Sequence, residues 1–177
     1  MSRDFFYGYR IVAARSVIQM MYLGCVFAYG VFFPEFEAEF GWSRATISGA
    51  AALNFFVMGV FGIVMGGATD RFGPRVVLTI AGVMYTVGYL LMYRMTTTWE
   101  LYLFYGLLCG LGIAAHEIAT LSTVARWFTR QRGLMSGIAK AGAGIGQVLV
   151  PLVAAALVMA YGWRHACLLI GIVALIV

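Results

Sequence analysis

The sequence predicts an all-α polytopic membrane protein, a bundle of six helices with the sixth incomplete. Three observations predict it. The 177-residue chain is 63% hydrophobic and 11% charged, against roughly 45–50% and 25% for a soluble globular domain. Its apolar residues come in runs, most of them about 18 residues or longer, the length a bilayer crossing requires. All four tryptophans (Trp42, Trp99, Trp127, Trp163) stand at the ends of those runs, as an interfacial aromatic belt predicts.

The runs are Ile11–Phe33, Ala45–Ala68, Val76–Tyr93, Leu101–Ala125, Leu134–Ala160 and His165–Val177. At about 1.5 Å per residue, the first covers roughly 34 Å, enough for the hydrocarbon layer. The last covers only about 20 Å, so the chain reads as a fragment or a protein cut short. The first run is long enough to span and is followed by no A-x-A-type cleavage site, so it is expected to remain as an uncleaved helix.

Charge sets the orientation. Arg3, Arg10, Arg71, Arg75, Arg126, Arg130 and Arg132 fall at one end of the bundle, and Arg44, Arg94 and Arg164 at the other. The richer end belongs in the cytoplasm, which puts the N-terminus there and the acidic Glu35, Glu37 and Glu39 outside. The expected location is the cell (inner) membrane, crossed many times. The net charge of +5 comes from these end residues, without the clustering or aromatic interleaving of a nucleic-acid surface.

The connections are short. "GWSRA" offers Ser43 as the N-cap of the second span, and "TTTWE" offers Thr97 or Thr98 for the fourth. "FGWSRA" and "YGWRHA" resemble each other, but both simply open a helix at the outer end, and nothing more is taken from the likeness.

Several chemistries are excluded by spacing. Cys25, Cys109 and Cys167 lie inside apolar runs without C-x-x-C spacing, as small buried residues. "HEIAT" has Thr120 where a zinc-binding H-E-x-x-H needs its second histidine. "GAGIG" (Gly142–Gly146) lies in a span with no preceding strand, so it is a packing surface rather than a phosphate cradle, and Gly62-x-x-x-Gly66 is another such surface. No metal site, cofactor or nucleophile–base pair is expected, and the chain does not read as an enzyme.

"GGATDRFGPR" (Gly66–Arg75) joins spans two and three. Gly73-Pro74 breaks the helix and the arginines obey the positive-inside rule. The spacing Gly66-x-x-x-Asp70-Arg71-x-Gly73-x-Arg75 resembles the loop signature G-x-x-x-D-R-x-G-x-[RK] of the major facilitator superfamily. A second stretch, "RWFTRQRGLMSGIAKAGAG" (Arg126–Gly144), resembles the fifth-span signature of the monocarboxylate transporter and oxalate–formate antiporter group. Trp127, Phe128, Arg130, Arg132, Leu134, Gly137, Ala139, Ala141 and Gly142 carry that match. The resemblance implies the N-terminal half of a twelve-helix carrier, with a missing C-terminal six-helix half as partner. It also implies that Gly66, Asp70, Arg71, Gly73 and Arg75 form a gating loop between the halves. An arginine that many proton-coupled members carry in span four would fall at Gly106, so that residue is missing here.

Four ionisable residues lie inside spans: Arg15, His116, Glu117 and Lys140. Each costs about 2.5–3.5 kcal/mol at depth, so each should face a cavity or a partner. Arg15, Gln19, Tyr22 and Tyr29 share one face of span one; Ser136, Lys140, Gly144, Gln147 and Pro151 share one face of span five. Arg15, Gln19, Tyr22, Glu117, Lys140 and Gln147 are therefore the candidates for binding or coupling. Arg15 could instead snorkel to the cytoplasmic surface, the tyrosines could simply pack, and His116 could serve as an interhelical hydrogen-bonder. Glu117 and Lys140 fall at matched depth on neighbouring helices and are expected to pair.

The expected function is secondary transport of a small organic anion, a monocarboxylate, by alternating access, with protons as a second possible cargo. The alternative is a non-transporting membrane module for interaction or sensing. The expected partners are the lipid bilayer and a small carboxylate, not nucleic acid.

Overall fold

The computed structural model describes residues 3–116 and 132–176, which are helical with short turns and contain no strand. Helix α1, Arg3–Ala28, tightens into a 3-10 turn at Tyr29–Phe32 and continues as α2, Phe33–Phe40. Pro34 sits in the first turn of α2, where its missing N–H interrupts no ladder. The helical path thus runs past the apolar stretch ending at Phe33, and Glu35, Glu37 and Glu39 stand on its last turns. Gly41, at φ 67 and ψ 19, ends it in the left-handed conformation.

Helix α3, Arg44–Phe72, is capped by Ser43, whose Oγ accepts the Thr46 N–H at 3.2 Å. It stops at Gly73, and α4, Pro74–Met92, begins at the next residue. Helix α5, Thr98–Leu101, opens with a full capping box between Thr97 and Glu100. It widens into a π-helix over Tyr102–Cys109 and returns to α geometry over 110–116. Helix α6, Arg132–Ile176, is interrupted at Gly162, with φ 78 and ψ 161. Among the described residues, five helices are long and apolar enough to cross a membrane. The 45 residues of α6 would extend about 68 Å if straight, enough for two crossings.

Two contacts show that Gly162 reverses the chain. The first arm of α6 brings Gly146 against Met20 of α1, while the second brings the Ala174 carbonyl to the Tyr22 hydroxyl at 3.2 Å. Both arms therefore lie beside the same stretch of α1. The link expected from "YGWRHA" is a single residue.

Helix α1 is the axis of the bundle, and tyrosines fasten the others to it. Tyr89 donates to the Cys25 carbonyl at 2.9 Å, Tyr85 to Tyr22 at 3.4 Å and Tyr105 to Val26 at 3.4 Å. Tyr29 reaches outward to the Ile47 carbonyl of α3 at 2.9 Å. In lipid an unmet hydroxyl costs several kcal/mol, so each buried tyrosine must find a carbonyl. Asn54 does the same for the π-helix, donating to the Tyr105 carbonyl at 2.8 Å. Cys25, Cys109 and Cys167 are buried and free.

Candidate functional site

The site begins with glycine. A Cβ on Gly142 would collide with the Ser16 carbonyl, and one on Gly146 with the Met20 carbonyl. "GAGIG" therefore lets the backbones of α1 and α6 touch, the close packing that small residues allow in membranes. Beside this contact line, α1 presents Gln19 and Leu23, and α6 presents Lys140, Ala143, Gly144 and Gln147. These six residues line a cavity of about 320 Å³.

Three of the candidate residues thus come together. Gln19 is only 3% exposed, Gln147 is half-buried and Lys140 is exposed. Lys140 is the sole lysine of the chain. The cleft therefore offers one ammonium and two amides. The ammonium can hold an anion, and each amide can both donate and accept a hydrogen bond.

Tyr22 is not part of this wall. It is 4% exposed, donates to Ala174, stacks on His116 with centroids 3.9 Å apart and meets Tyr85 edge-on at 4.6 Å. Gln19 and Tyr22 differ by about 60° around a helix, so one edge of the polar face looks into the cleft and the other into the core. Tyr29 is likewise interior, stacked on Tyr105 at 3.8 Å. Arg15 is half-buried, does not line the cavity, and lies near enough to His116 for their charges to interact. His116 is 5% exposed, and neither ring nitrogen has a hydrogen-bond partner among the described residues. Within that set it bridges helices by ring stacking, not by the expected hydrogen bond. Glu117 lies outside the described residues, and so does its expected pairing with Lys140. The same holds for Trp127, Phe128 and Arg130.

The loop at Gly73 is open. Asp70, Arg71 and Arg75 are exposed, and Gly66 and Gly73 are half-buried. The Gly73 N–H closes α3 on the Thr69 carbonyl at 3.1 Å, and the Arg71 guanidinium lies 5.3 Å from the Phe72 ring centre. A carboxylate in the last turn of a helix is unfavourable toward that helix's dipole, so Asp70 is poorly explained as a stabiliser of α3.

At the other end stands a cluster that sequence reasoning missed. Trp163 Nε1 donates to Glu39 at 2.6 Å, Arg164 pairs with the same carboxylate, and Arg164 also donates to the Met95 carbonyl at 3.1 Å. Phe36 meets Trp163 at 5.0 Å, and Phe40 stacks on Trp42 at 4.3 Å. Arg164 lies 4.4 Å from the centre of the Trp163 ring. The likeness of "FGWSRA" and "YGWRHA" was the available signal, because Phe40 and Trp163 from the two segments pack together at 5.9 Å.

Comparison with known proteins agrees with this architecture. The family profile of the Major Facilitator Superfamily matches residues 16–177. Monocarboxylate transporter 13 of Bos taurus is 33% identical over 170 residues, covering 96% of this chain and 40% of that protein. Monocarboxylate transporter 11 of Homo sapiens is 30% identical over 169 residues, covering 96% of this chain and 36% of that one. The chain thus spans well under half the length of either relative. The inward-open xylose transporter XylE from E. coli superposes with a TM-score of 0.77 at 15% identity, over 96% of this chain and 47% of that one, which is a likeness of fold.

Proposed function

Because this chain belongs to the Major Facilitator Superfamily, we propose that it forms the N-terminal six-helix half of a secondary transporter for a small organic anion, a monocarboxylate. The observation that carries the reading is the cleft between α1 and α6. There the only lysine stands with Gln19 and Gln147 in one cavity, on helices long and apolar enough to span a bilayer. A cation at that depth is costly unless it serves a cavity or a partner. Lys140 draws the carboxylate and the amides orient it. The second half supplies the opposite wall, and the two halves rock about the bound anion. The arginine asymmetry supports a cytoplasmic N-terminus. With that orientation, the Gly66–Arg75 loop latches the halves on the cytoplasmic side.

The test is Lys140→Ala in the complete carrier, reconstituted in liposomes. Saturable uptake of a small monocarboxylate should fall at least about tenfold at equal protein content, as expected when a charged binding partner is removed. Wild-type uptake by the variant would sink the proposal.

A further inference from the structure

We propose that the fourth span, Thr98–His116, is a two-state element with Asn54 as its catch. In one state the π-helix seats residues 110–116 on α4. In the other the π-helix closes to α geometry, and the segment turns and lifts away. The proposal is independent of the cleft between α1 and α6, and it rests on the carrier reading only for its effect on transport.

A π turn takes in about one residue more than an α turn. Where it rejoins α geometry, one carbonyl is left without a partner in its own helix. After Tyr102–Cys109 the Gly110 N–H turns to the Leu107 carbonyl, and the Tyr105 carbonyl accepts the Asn54 amide N–H at 2.8 Å. Asn54 is 1% exposed, and its Oδ1 has no hydrogen-bond partner among the described residues. A buried acceptor left unmet opposes the gain from the bond that the same amide makes. The π form is thus held by one half-satisfied side chain, a balance that a modest change elsewhere can tip.

Packing ties each form to one position. The outer end of the span is fixed, with the Tyr102 hydroxyl on the Thr46 carbonyl at 3.0 Å. Toward its other end the span meets its neighbours through glycine. A Cβ on Gly110 would come 3.0 Å from the Asn54 carbonyl, and one on Gly112 would come 2.8 Å from the Ala81 carbonyl. Closing the π turn moves every later residue by one place, a rotation of about 100° and a shift of about 1.5 Å. Leu111 would then stand where Gly112 stands, with its side chain driven into Ala81 and Tyr85 of α4. The α form is therefore closed to a seated segment and open to a lifted one. At the end of the segment, His116 is 5% exposed, and neither ring nitrogen is hydrogen-bonded among the described residues. The same rotation takes it off the Tyr22 ring on which it stacks, so the seated form bears a second unmet group that lifting releases. Two packed arrangements that exclude each other make a switch rather than a continuous deformation.

The experiment uses the complete carrier and two variants. The first deletes Leu103, a residue of the π segment that is 49% exposed. One residue shorter, the span can run as α-helix throughout while Gly112 keeps its seat, so the seated form no longer depends on a π turn. This variant should insert and unfold as the wild type does, yet its uptake of a small monocarboxylate into proteoliposomes should fall at least about fivefold. Wild-type uptake by the inserted deletion variant would overturn the proposal. The second variant, Asn54→Leu, removes the catch and is read without transport, by electron cryomicroscopy in nanodiscs. Tyr102–Cys109 should become α-helical, with His116 off the Tyr22 ring. A retained π-helix with His116 still stacked would overturn the proposal. Each variant decides alone if the other fails to reach the membrane. A wild type that carries no monocarboxylate would overturn the carrier reading, and the structure of Asn54→Leu would still decide this one.

Discussion

Gly73 and Gly162 hold nearly the same backbone conformation at opposite ends of the bundle, φ 83, ψ 155 and φ 78, ψ 161. The local sequences match as well: Phe72-Gly73-Pro74-Arg75 at one end, Tyr161-Gly162-Trp163-Arg164 at the other. Each joins two helices through a single residue in a region that is essentially glycine's alone. Their surroundings differ entirely. Around Gly162, Trp163 is buried and Arg164 is bound to Glu39 and to the Met95 carbonyl. Around Gly73, Asp70, Arg71, Phe72 and Arg75 all face outward. The same backbone device therefore stands in two different settings. At one end the side chains convert the turn into an anchor joining α2, α6 and the segment before α5. At the other, Asp70, Arg71 and Arg75 stay at the surface of the described residues.

The largest expected effect is at the anchor. Trp163 is 4% exposed and packs on Phe36 and Phe40. Trp163→Ala should cost about 3–5 kcal/mol of stability, typical of a buried aromatic truncated to alanine. Its counterpart Phe72→Ala, at a residue 60% exposed, should change stability by no more than about 0.5 kcal/mol. Denaturant unfolding in detergent micelles reads both, and equal losses would break the comparison.

Next come the glycines themselves. An added Cβ meets nothing within 4 Å at either Gly73 or Gly162, so alanine there introduces backbone strain without a clash. Gly73→Ala and Gly162→Ala should each cost about 1–3 kcal/mol, and the two values should agree to within about 0.5 kcal/mol. A large inequality would mean that the side-chain surroundings, not the shared conformation, set the cost.

A smaller effect is expected from the ion pair. The Glu39 and Arg164 side chains are 39% and 33% exposed, so water screens them, and Glu39→Gln should cost at most about 1 kcal/mol. Glu37→Gln should produce no measurable change, because Arg44, its partner at 2.7 Å, is 80% exposed. A loss at Glu37 as large as that at Glu39 would show that the anchor owes nothing to its aromatic setting.

What was legible in the sequence was local. Ser43 and Thr97 announce their helices because a cap and its target are three residues apart. Gly73-Pro74 marks its own turn, and the spacing of Lys140, Gly144 and Gln147 places them on one face of one helix. Glu39 and Trp163 are 124 positions apart, and nothing in either segment says which way its helix turns in the bundle. The division of Gln19 from Tyr22 was hidden for the same reason. Helical periodicity places both on a common face, but only the neighbouring helices decide which edge of that face meets the cleft. The π-helix was invisible too, since its stabilising contact comes from Asn54 on another helix.

Little effect on stability, but a clear one on function, is expected at Asp70. It is exposed in the last turn of α3, where a negative charge opposes the helix dipole. Asp70→Asn should therefore leave unfolding unchanged to within about 0.5 kcal/mol, or raise stability slightly. If the loop latches two halves, that same substitution removes charge from a contact whose strength depends on conformation. Couplings of that kind amount to about 1–3 kcal/mol, so the transport rate of the complete carrier should fall at least about fivefold. Glu39→Gln supplies the converse, with a small loss of stability and a transport rate near wild type, because its partners all lie within this bundle. Measured together in one liposome assay and one unfolding series, the two variants should separate rate from stability in opposite directions. If Asp70→Asn instead lowers stability and leaves the rate alone, the Gly73 turn is a structural cap like its counterpart, and the functional difference between the two ends disappears.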